Sequence, residues 1–197
     1  EDGLVSVDTT SCTGMCDQPP AALINGLVVT GIKPADVPAI VEALKRDQGK
    51  VGGSALFPNA EVQLNLRQGG PVVLGPFENG AGIRKSLALS PEQVIEEINK
   101  SKLRGRGGAG FPTGMKWSFC RKAKGRHFLI CNADEGEPGT FKDRLLLTEA
   151  ADLLFEGMTV AGYALGAVEG LLYLRAEYAY LLPRLEQVLS RRRRHGL

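Results

Sequence analysis

Cys12 and Cys16 are separated by three residues, with Gly14 at the middle. Thiols at that spacing suit two ligands approaching one iron of a 2Fe-2S cluster, and equally a redox dithiol or a pair of inert thiols. A cluster of that type needs two further ligands. Residues 105–114, Gly-Arg-Gly-Gly-Ala-Gly-Phe-Pro-Thr-Gly, hold five glycines and Arg106, with Lys116 just beyond. Glycine at this density serves sharp turns or close approach to another body. A loop without side chains can aim several N–H groups at one anion, so phosphate is its natural ligand. An ordinary glycine-rich connection is the competing reading. Residues 132–144 form the third cluster, in which Asp134, Glu135 and Glu137 place three carboxylates within four residues. Such carboxylates repel unless amides, cations or hydroxyls lie between them, and ribose and ribityl hydroxyls are suitable donors; a solvated acidic turn is the alternative. Phe111 and Phe119 flank Lys116, which suits a stacked aromatic ligand beside a cation, against the plainer reading that Phe119 and Trp117 pack a short helix.

Two familiar glycine fingerprints fail on context. Gly105, Gly107 and Gly110 fit G-x-G-x-x-G, but a helix precedes them where a dinucleotide fold requires a strand. That helix spans 91–101, with Ser90 and Gln93 as capping box and Pro91 at its first position. No glycine lies where a Walker A loop needs one. The loop therefore reads as helix, glycines, and a second short helix begun near Thr113.

Further elements must carry these clusters. Residues 4–7 are strand-like, and two apolar runs around Asn25-Gly26 read as a hairpin. Residues 34–44 are helical in period, and 48–58 read as linker. The apolar run 126–131 is a buried-type strand ending in the acidic cluster, where open α/β sheets place ligands. Helix 150–166, strand 171–174 and helix 181–194, with Pro183 in its first turn, complete an alternating pattern. The domains expected are 1–47, a lead-in over 48–85, and 86–197. His127 reads as structural, Cys120 and Cys131 as buried thiols, and Arg191 to Arg194 as a solvated last helical turn.

Composition narrows the class. With 197 residues, 43% hydrophobic and 23% charged, the chain buries a substantial core, and a net charge of +2 makes neither nucleic acid nor an anionic membrane its default partner. No apolar stretch approaches the ~20 residues that span a bilayer, so no direct membrane insertion and a cytoplasmic location are expected. Four cysteines in unrelated settings do not form a secreted disulfide framework.

Taken in order, Leu103-Arg104-Gly105-Arg106-Gly107-Gly108-Ala109-Gly110-Phe111-Pro112-Thr113-Gly114-Met115-Lys116-Trp117 and then Cys131-Asn132-Ala133-Asp134-Glu135-Gly136-Glu137-Pro138-Gly139-Thr140-Phe141-Lys142-Asp143-Arg144 closely resemble the FMN- and NADH-binding flavoprotein subunits of respiratory complex I and its relatives. Ser11-Cys12-Thr13-Gly14-Met15-Cys16-Asp17, with Pro20-Ala21 and Asn25-Gly26, resembles the second half of the thioredoxin-like 2Fe-2S domain. Fusion of the two is the arrangement of diaphorase subunits of NAD-reducing bidirectional hydrogenases. The fold implied is α/β, a partial thioredoxin-like unit followed by the N-terminal part of a Rossmann-like FMN-binding domain. The resemblance assigns Gly105, Arg106, Gly107 and Gly108 to the FMN phosphate and ribityl chain, and Asn132, Asp134 and Glu135 to the flavin side chain. Lys116, Phe111, Phe119 and Glu137 match positions that receive NADH, and Cys12 and Cys16 match two of four 2Fe-2S ligands. It implies hydride transfer between NAD(H) and FMN, single electrons passing to iron-sulfur clusters, and partner subunits in a hetero-oligomeric hydrogenase or dehydrogenase. The family's later flavin-holding segments and its 4Fe-4S cysteines are expected downstream, and both ends read as cut, so weak flavin binding and poor turnover are expected of the 197 residues alone. Ala176 stands where the family has glycine in Arg-Gly-Glu-Tyr. A complex I flavoprotein subunit, an NAD-linked formate dehydrogenase subunit, a non-catalytic electron-transfer or docking fragment, and a nucleotide sensor are the alternatives.

Overall fold

A computed structural model describes residues 3, 5–46, 66 and 68–197. The linker expected over 48–58 lies outside the described residues, as does Leu4 of the expected first strand; Val5 to Val7 form no strand. The described residues gather into two compact units, both discontinuous in sequence. The cysteine unit combines the described residues up to Gly70 with Asp134–Glu149 and Leu174–Arg184, and the glycine-loop unit combines Pro71–Ala133, Ala150–Tyr173 and Leu185–Leu197.

In the cysteine unit, β1 (Ala21–Ile24) and β2 (Leu27–Thr30) pair antiparallel, Ile24 opposite Leu27 and Ala21 opposite Thr30. Asn25 at φ 48° and Gly26 at φ 84° form the left-handed two-residue turn that matches strand twist, as their types require. A 3-10 turn, Pro34–Asp36, leads into α1 (Val37–Arg46), which buries Ala43. β2 buries Val28 and packs against a second 3-10 helix, Ala176–Leu181, which also receives α5 (Lys142–Glu149). Met15, Leu147, Tyr178 and Leu181 complete the buried apolar set here.

The glycine-loop unit is built on α3 (Pro91–Lys100), α4 (Thr113–Lys122) and α6 (Ala151–Leu165), which contact one another around Val94, Ile95 and Ala164 with Trp117 and Tyr163 against them. The capping box starts α3 as its sequence directs: the Gln93 amide donates to Ser90 Oγ at 3.3 Å, and the Ser90 amide donates to Gln93 Oε1 at 2.8 Å. Gly166, at φ 65°, closes α6. β3 (His127–Ala133) lies beside β4 (Ala167–Leu174), which begins four residues earlier than its apolar run implies. Segment 81–87, read as lead-in, is helix α2 (Ala81–Leu87), and α7 (Leu182–Arg194) is the last helix.

Further expectations need correction. β3, expected as a buried-type strand, buries only Ala133, and its Phe128 and Ile130 are exposed, because one face of the two-stranded sheet is uncovered within this unit. The arginine run is not a solvated turn throughout: Arg192 is 3% exposed, its Nη1 donating to the Asp152 carbonyl at 3.1 Å and its Nη2 lying 3.7 Å from Glu156. The turn of helix carrying it faces α6, whose Asp152 and Glu156 draw one guanidinium inward. Cys120 and Cys131 are partly exposed thiols outside any disulfide, because α4 and β3 each bury only part of their surface. Phe119 does not pack its helix as Trp117 does; it is 61% exposed. Among the described residues no helix is long and apolar enough to cross a membrane.

Candidate functional site

The glycine run is closed at its base. Arg104 and Pro112 form an antiparallel bridge, the Gly105 amide donates to the Phe111 carbonyl at 2.9 Å, and the Thr113 amide donates to the Leu103 carbonyl at 2.9 Å. Gly105 thus spends its N–H on closing the loop. Steric context sorts the glycines further. A Cβ on Gly114 would come within 2.3 Å of Asn99 Oδ1 and 2.9 Å of its backbone nitrogen, so Gly114 is what lets α4 approach α3. Gly107 and Gly108 meet nothing within 4 Å, and Gly108 stands at φ 101°. The fold imposes no steric demand for glycine at Gly107, whose main chain is open to close approach by another body. Open main chain fits the phosphate end of a flavin mononucleotide.

The same unit places Arg106, Lys116 and Asn132 at the surface, and it pairs Phe111 with Phe119, whose ring centroids lie 6.5 Å apart at 46°. These rings are 45% and 61% exposed, so neither belongs to the core of the unit. A separate cleft of 620 Å³ in this unit, lined by Glu92, Ser118, Arg121 and His127, holds none of the residues that the sequence assigns to flavin, NADH or metal, and Arg121 and Glu92 there pair with each other at 2.7 Å. His127 is structural as expected: its ring nitrogens lie 2.8 Å from the Leu165 carbonyl and 3.0 Å from that of Ala123.

Asp134, Glu135, Glu137, Cys12 and Cys16 belong to the cysteine unit. The Cys12 and Cys16 Sγ atoms are 3.7 Å apart, hydrogen-bonded to each other and not joined in a disulfide. Gly14, at φ 73°, turns the chain between them and sits so close to Tyr178 that a Cβ would lie 2.0 Å from Oη. The Gly139 amide donates to Cys16 Sγ at 3.2 Å. The Gly14 amide, with lesser help from Cys16, the Gly139 amide and the Arg175 charge, holds the Cys12 thiol below its usual range despite desolvation. Amide donors aimed at a thiol pair, with the Cys12 thiolate favoured, fit two ligands of an iron-sulfur cluster. Among the described residues no group of three or more His, Cys, Asp or Glu could hold a metal, so this pair would supply part of a ligand set.

Asp134 and Glu137 are exposed, whereas Glu135 is 3% exposed and committed to the protein. Its carboxylate accepts the Asp143 amide at 2.6 Å, the Arg144 amide at 3.1 Å and the Tyr178 hydroxyl at 2.9 Å. It therefore caps the N-terminus of α5, where main-chain N–H groups lack helical partners. Burial, reinforced by this carboxylate, raises the Tyr178 hydroxyl well above its ordinary range and keeps it a donor. Arg175, which sequence reasoning does not single out, is the cation at the centre of this unit. Its guanidinium donates to the Cys12 and Glu135 carbonyls, pairs with Glu177 at 3.0 Å, and lies 5.2 Å from the Tyr178 ring. The signal is present as Arg175-Ala176-Glu177-Tyr178 but carries no spacing of its own.

The profile of the Nuo51 FMN-binding domain family matches residues 98–196, half of the chain, and that of the thioredoxin-like [2Fe-2S] ferredoxin family matches residues 1–45. The alpha subunit of the NAD-reducing hydrogenase HoxS of Cupriavidus necator is 45% identical, over 99% of this chain and 34% of that protein. An NADH-quinone oxidoreductase subunit of Rhizobium meliloti is 47% identical over 63% of this chain and 31% of its own length. A crystal structure of an NAD+-reducing [NiFe]-hydrogenase in the H2-reduced state superposes with a TM-score of 0.83 at 43% identity, covering 94% of this chain and 33% of the solved one. The chain spans about a third of the length of the relatives it matches. Its glycine run and acidic strand end, together with these matches, place the chain in the Nuo51 FMN-binding domain family, preceded by a thioredoxin-like 2Fe-2S stretch.

Proposed function

We propose that this chain is part of a cytoplasmic electron-input module, a diaphorase that exchanges a hydride between NAD(H) and FMN and passes single electrons to iron-sulfur clusters, within a hetero-oligomeric NAD-linked hydrogenase. One observation carries the reading: the main chain at Gly107 is open where the fold imposes no steric demand for glycine, in the unit that also exposes the Phe111 and Phe119 rings. The hydrogenase branch rests on the fused cysteine stretch, matched over 99% of this chain by the hydrogenase alpha subunit.

When bound, FMN supplies the hydride acceptor and the step from paired to single electrons. The protein's work is binding and orientation. The main chain at Arg106, Gly107 and Gly108 holds the phosphate, with Gly105 closing the loop beneath. Phe111 and Phe119 offer ring faces to the bases of NADH, and Lys116 offers a cation to its phosphates. Asn132 supplies an amide for the flavin side chain. The exposed carboxylates of Asp134 and Glu137 are suited to ribityl and ribose hydroxyls. Glu135 acts through the backbone it fixes, since its own oxygens are spent. Cys12 and Cys16 supply two thiolates to a 2Fe-2S cluster whose other ligands come from beyond these residues. No side chain need serve as acid or base.

Gly107→Val in the full-length protein tests the site. Because the position is open, the variant should melt with the native protein, yet retain at least tenfold less FMN after desalting and show no flavin bleaching on NADH addition. Native FMN occupancy in the folded variant refutes the assignment.

A further inference from the structure

Arg175 is 5% exposed, and its donors are spent on three points of the cysteine unit. It donates to the Cys12 carbonyl, the Glu135 carbonyl and the Glu177 carboxylate. Glu177 in turn accepts from Ser11 Oγ at 2.9 Å, one residue before Cys12. A buried guanidinium with a single carboxylate beside it is an expensive way to tie a loop, since neutral groups could make the same carbonyl contacts without desolvating a charge. What neutral groups could not do is place a fixed positive charge against a cysteine loop. Gly139, whose amide reaches Cys16 Sγ at 3.2 Å, adds an oriented dipole of the same sense.

We propose that Arg175, with Glu177 as its counter-charge, is a positioning residue that sets the reduction potential of the 2Fe-2S cluster held in part by Cys12 and Cys16. The inference rests on the cluster assignment made above. Reduction adds one electron to the cluster, lowers its net charge by one, and breaks or forms no bond. A nearby fixed cation stabilises the reduced form and raises the potential; a nearby anion does the reverse. The two side chains therefore carry opposite predictions. Both lie in segment 174–184, within the stretch matched by the FMN-binding domain family, so the flavoprotein portion of the chain tunes the cluster of the ferredoxin-like portion.

The test is a potentiometric titration of the full-length protein with dithionite as reductant, the reduced cluster followed by its EPR signal and iron content measured in each sample. Arg175→Gln should lower the equilibrium constant for cluster reduction at least tenfold, about 59 mV for one electron. Arg175→Lys, which keeps the charge, should restore it to within threefold of the native value. Glu177→Gln should shift it the opposite way, to easier reduction. Disturbed packing has no reason to produce shifts of opposite sign. The inference is overturned if the two glutamine variants shift together or not at all, if Arg175→Lys is as displaced as Arg175→Gln, or if both Arg175 variants lose their iron, since the residue then only holds the loop. A native protein without a 2Fe-2S signal sinks the cluster assignment itself, whereas a native signal with unmoved variants sinks only the role of Arg175.

Discussion

Gly14→Ala should be among the most damaging small substitutions in the chain, and its cost has two separable parts. Gly14 adopts φ 73°, where an L side chain costs roughly 1–2 kcal/mol. The added Cβ would also lie 2.0 Å from Tyr178 Oη and 2.7 Å from Cε1 and Cζ. Tyr178 cannot swing away cheaply, because it has no exposed surface and its hydroxyl donates to the buried Glu135 carboxylate. Moving it sacrifices a hydrogen bond to a charged acceptor, about 1.5–3 kcal/mol, so the total is about 2.5–5 kcal/mol. Gly26→Ala is the control: its φ is 84°, but nothing lies within 4 Å, and only the backbone cost of ~1 kcal/mol applies. Urea unfolding of the two variants gives the difference, and hydrogen exchange localises it, with faster exchange expected at the Asp143 and Arg144 amides that Glu135 holds. Adding Tyr178→Phe to Gly14→Ala removes the closest contact and should recover part of the loss, a coupling that a double-mutant cycle reads directly. Equal destabilisation by Gly14→Ala and Gly26→Ala refutes the packing argument.

Gly114→Ala should destabilise by about 2–4 kcal/mol, since its Cβ would meet the Asn99 backbone and side chain below 3.0 Å; calorimetry checks this, and an unchanged melting temperature counts against close α3–α4 packing. Phe119→Ala should change stability by less than about 0.5 kcal/mol because the ring is 61% exposed, while raising KM for NADH about tenfold in steady-state assays; an unaltered KM removes Phe119 from the binding site. Arg175, followed by the Glu177 backbone and Ser11, holds the Glu177 carboxyl at about 2, below its usual 4.5. A depressed folded value means this stabilisation is complete above about pH 4.5 and is lost as pH falls through 2, by up to ~2 kcal/mol after solvent screening. Urea midpoints across that window should flatten in Glu177→Gln, and a native slope in that variant assigns the acid sensitivity elsewhere.

What can be read from the sequence is whatever is decided within a few residues. Asn25-Gly26 dictates its own turn, Ser90 and Gln93 cap each other, and Gly166 ends α6 by its own conformation. Elements decided by distant partners are not legible in this way. The first amides of α2 are taken by Glu156, with Gly80 and Gly82 donating at 2.6 Å each, and no local cap announces that helix. The start of α5 is likewise fixed by Glu135, seven residues before the helix begins. Arg192 departs from expectation for the same reason, since its carboxylate partners lie some forty positions upstream on α6. In the candidate site, the glycines and rings are legible as residue types. That Gly114 answers to packing and Gly107 does not requires coordinates, because only the neighbouring atoms of Asn99 distinguish them.

The buried charges of the cysteine unit join segments that sequence alone assigns to different domains. Asp17 pairs with the fully buried Arg144 on α5, Cys12 receives Arg175, Cys16 receives the Gly139 amide, and Ser11 donates to Glu177. Every one of these partners on the cysteine loop lies within residues 1–45, and every group it meets lies within 98–196, the stretches matched by the two families. Removing the later segments would leave Asp17 without its Arg144 partner and strip the apolar cover that Ala176–Leu181 gives to β2, a loss of several kcal/mol in a stretch with little core of its own. Fusion of the two stretches in one chain thus has a physical consequence at the cysteine loop: its geometry is enforced by the segments of the flavoprotein family, whose Gly139 amide and Arg175 charge add to the field that the loop's own Gly14 amide sets.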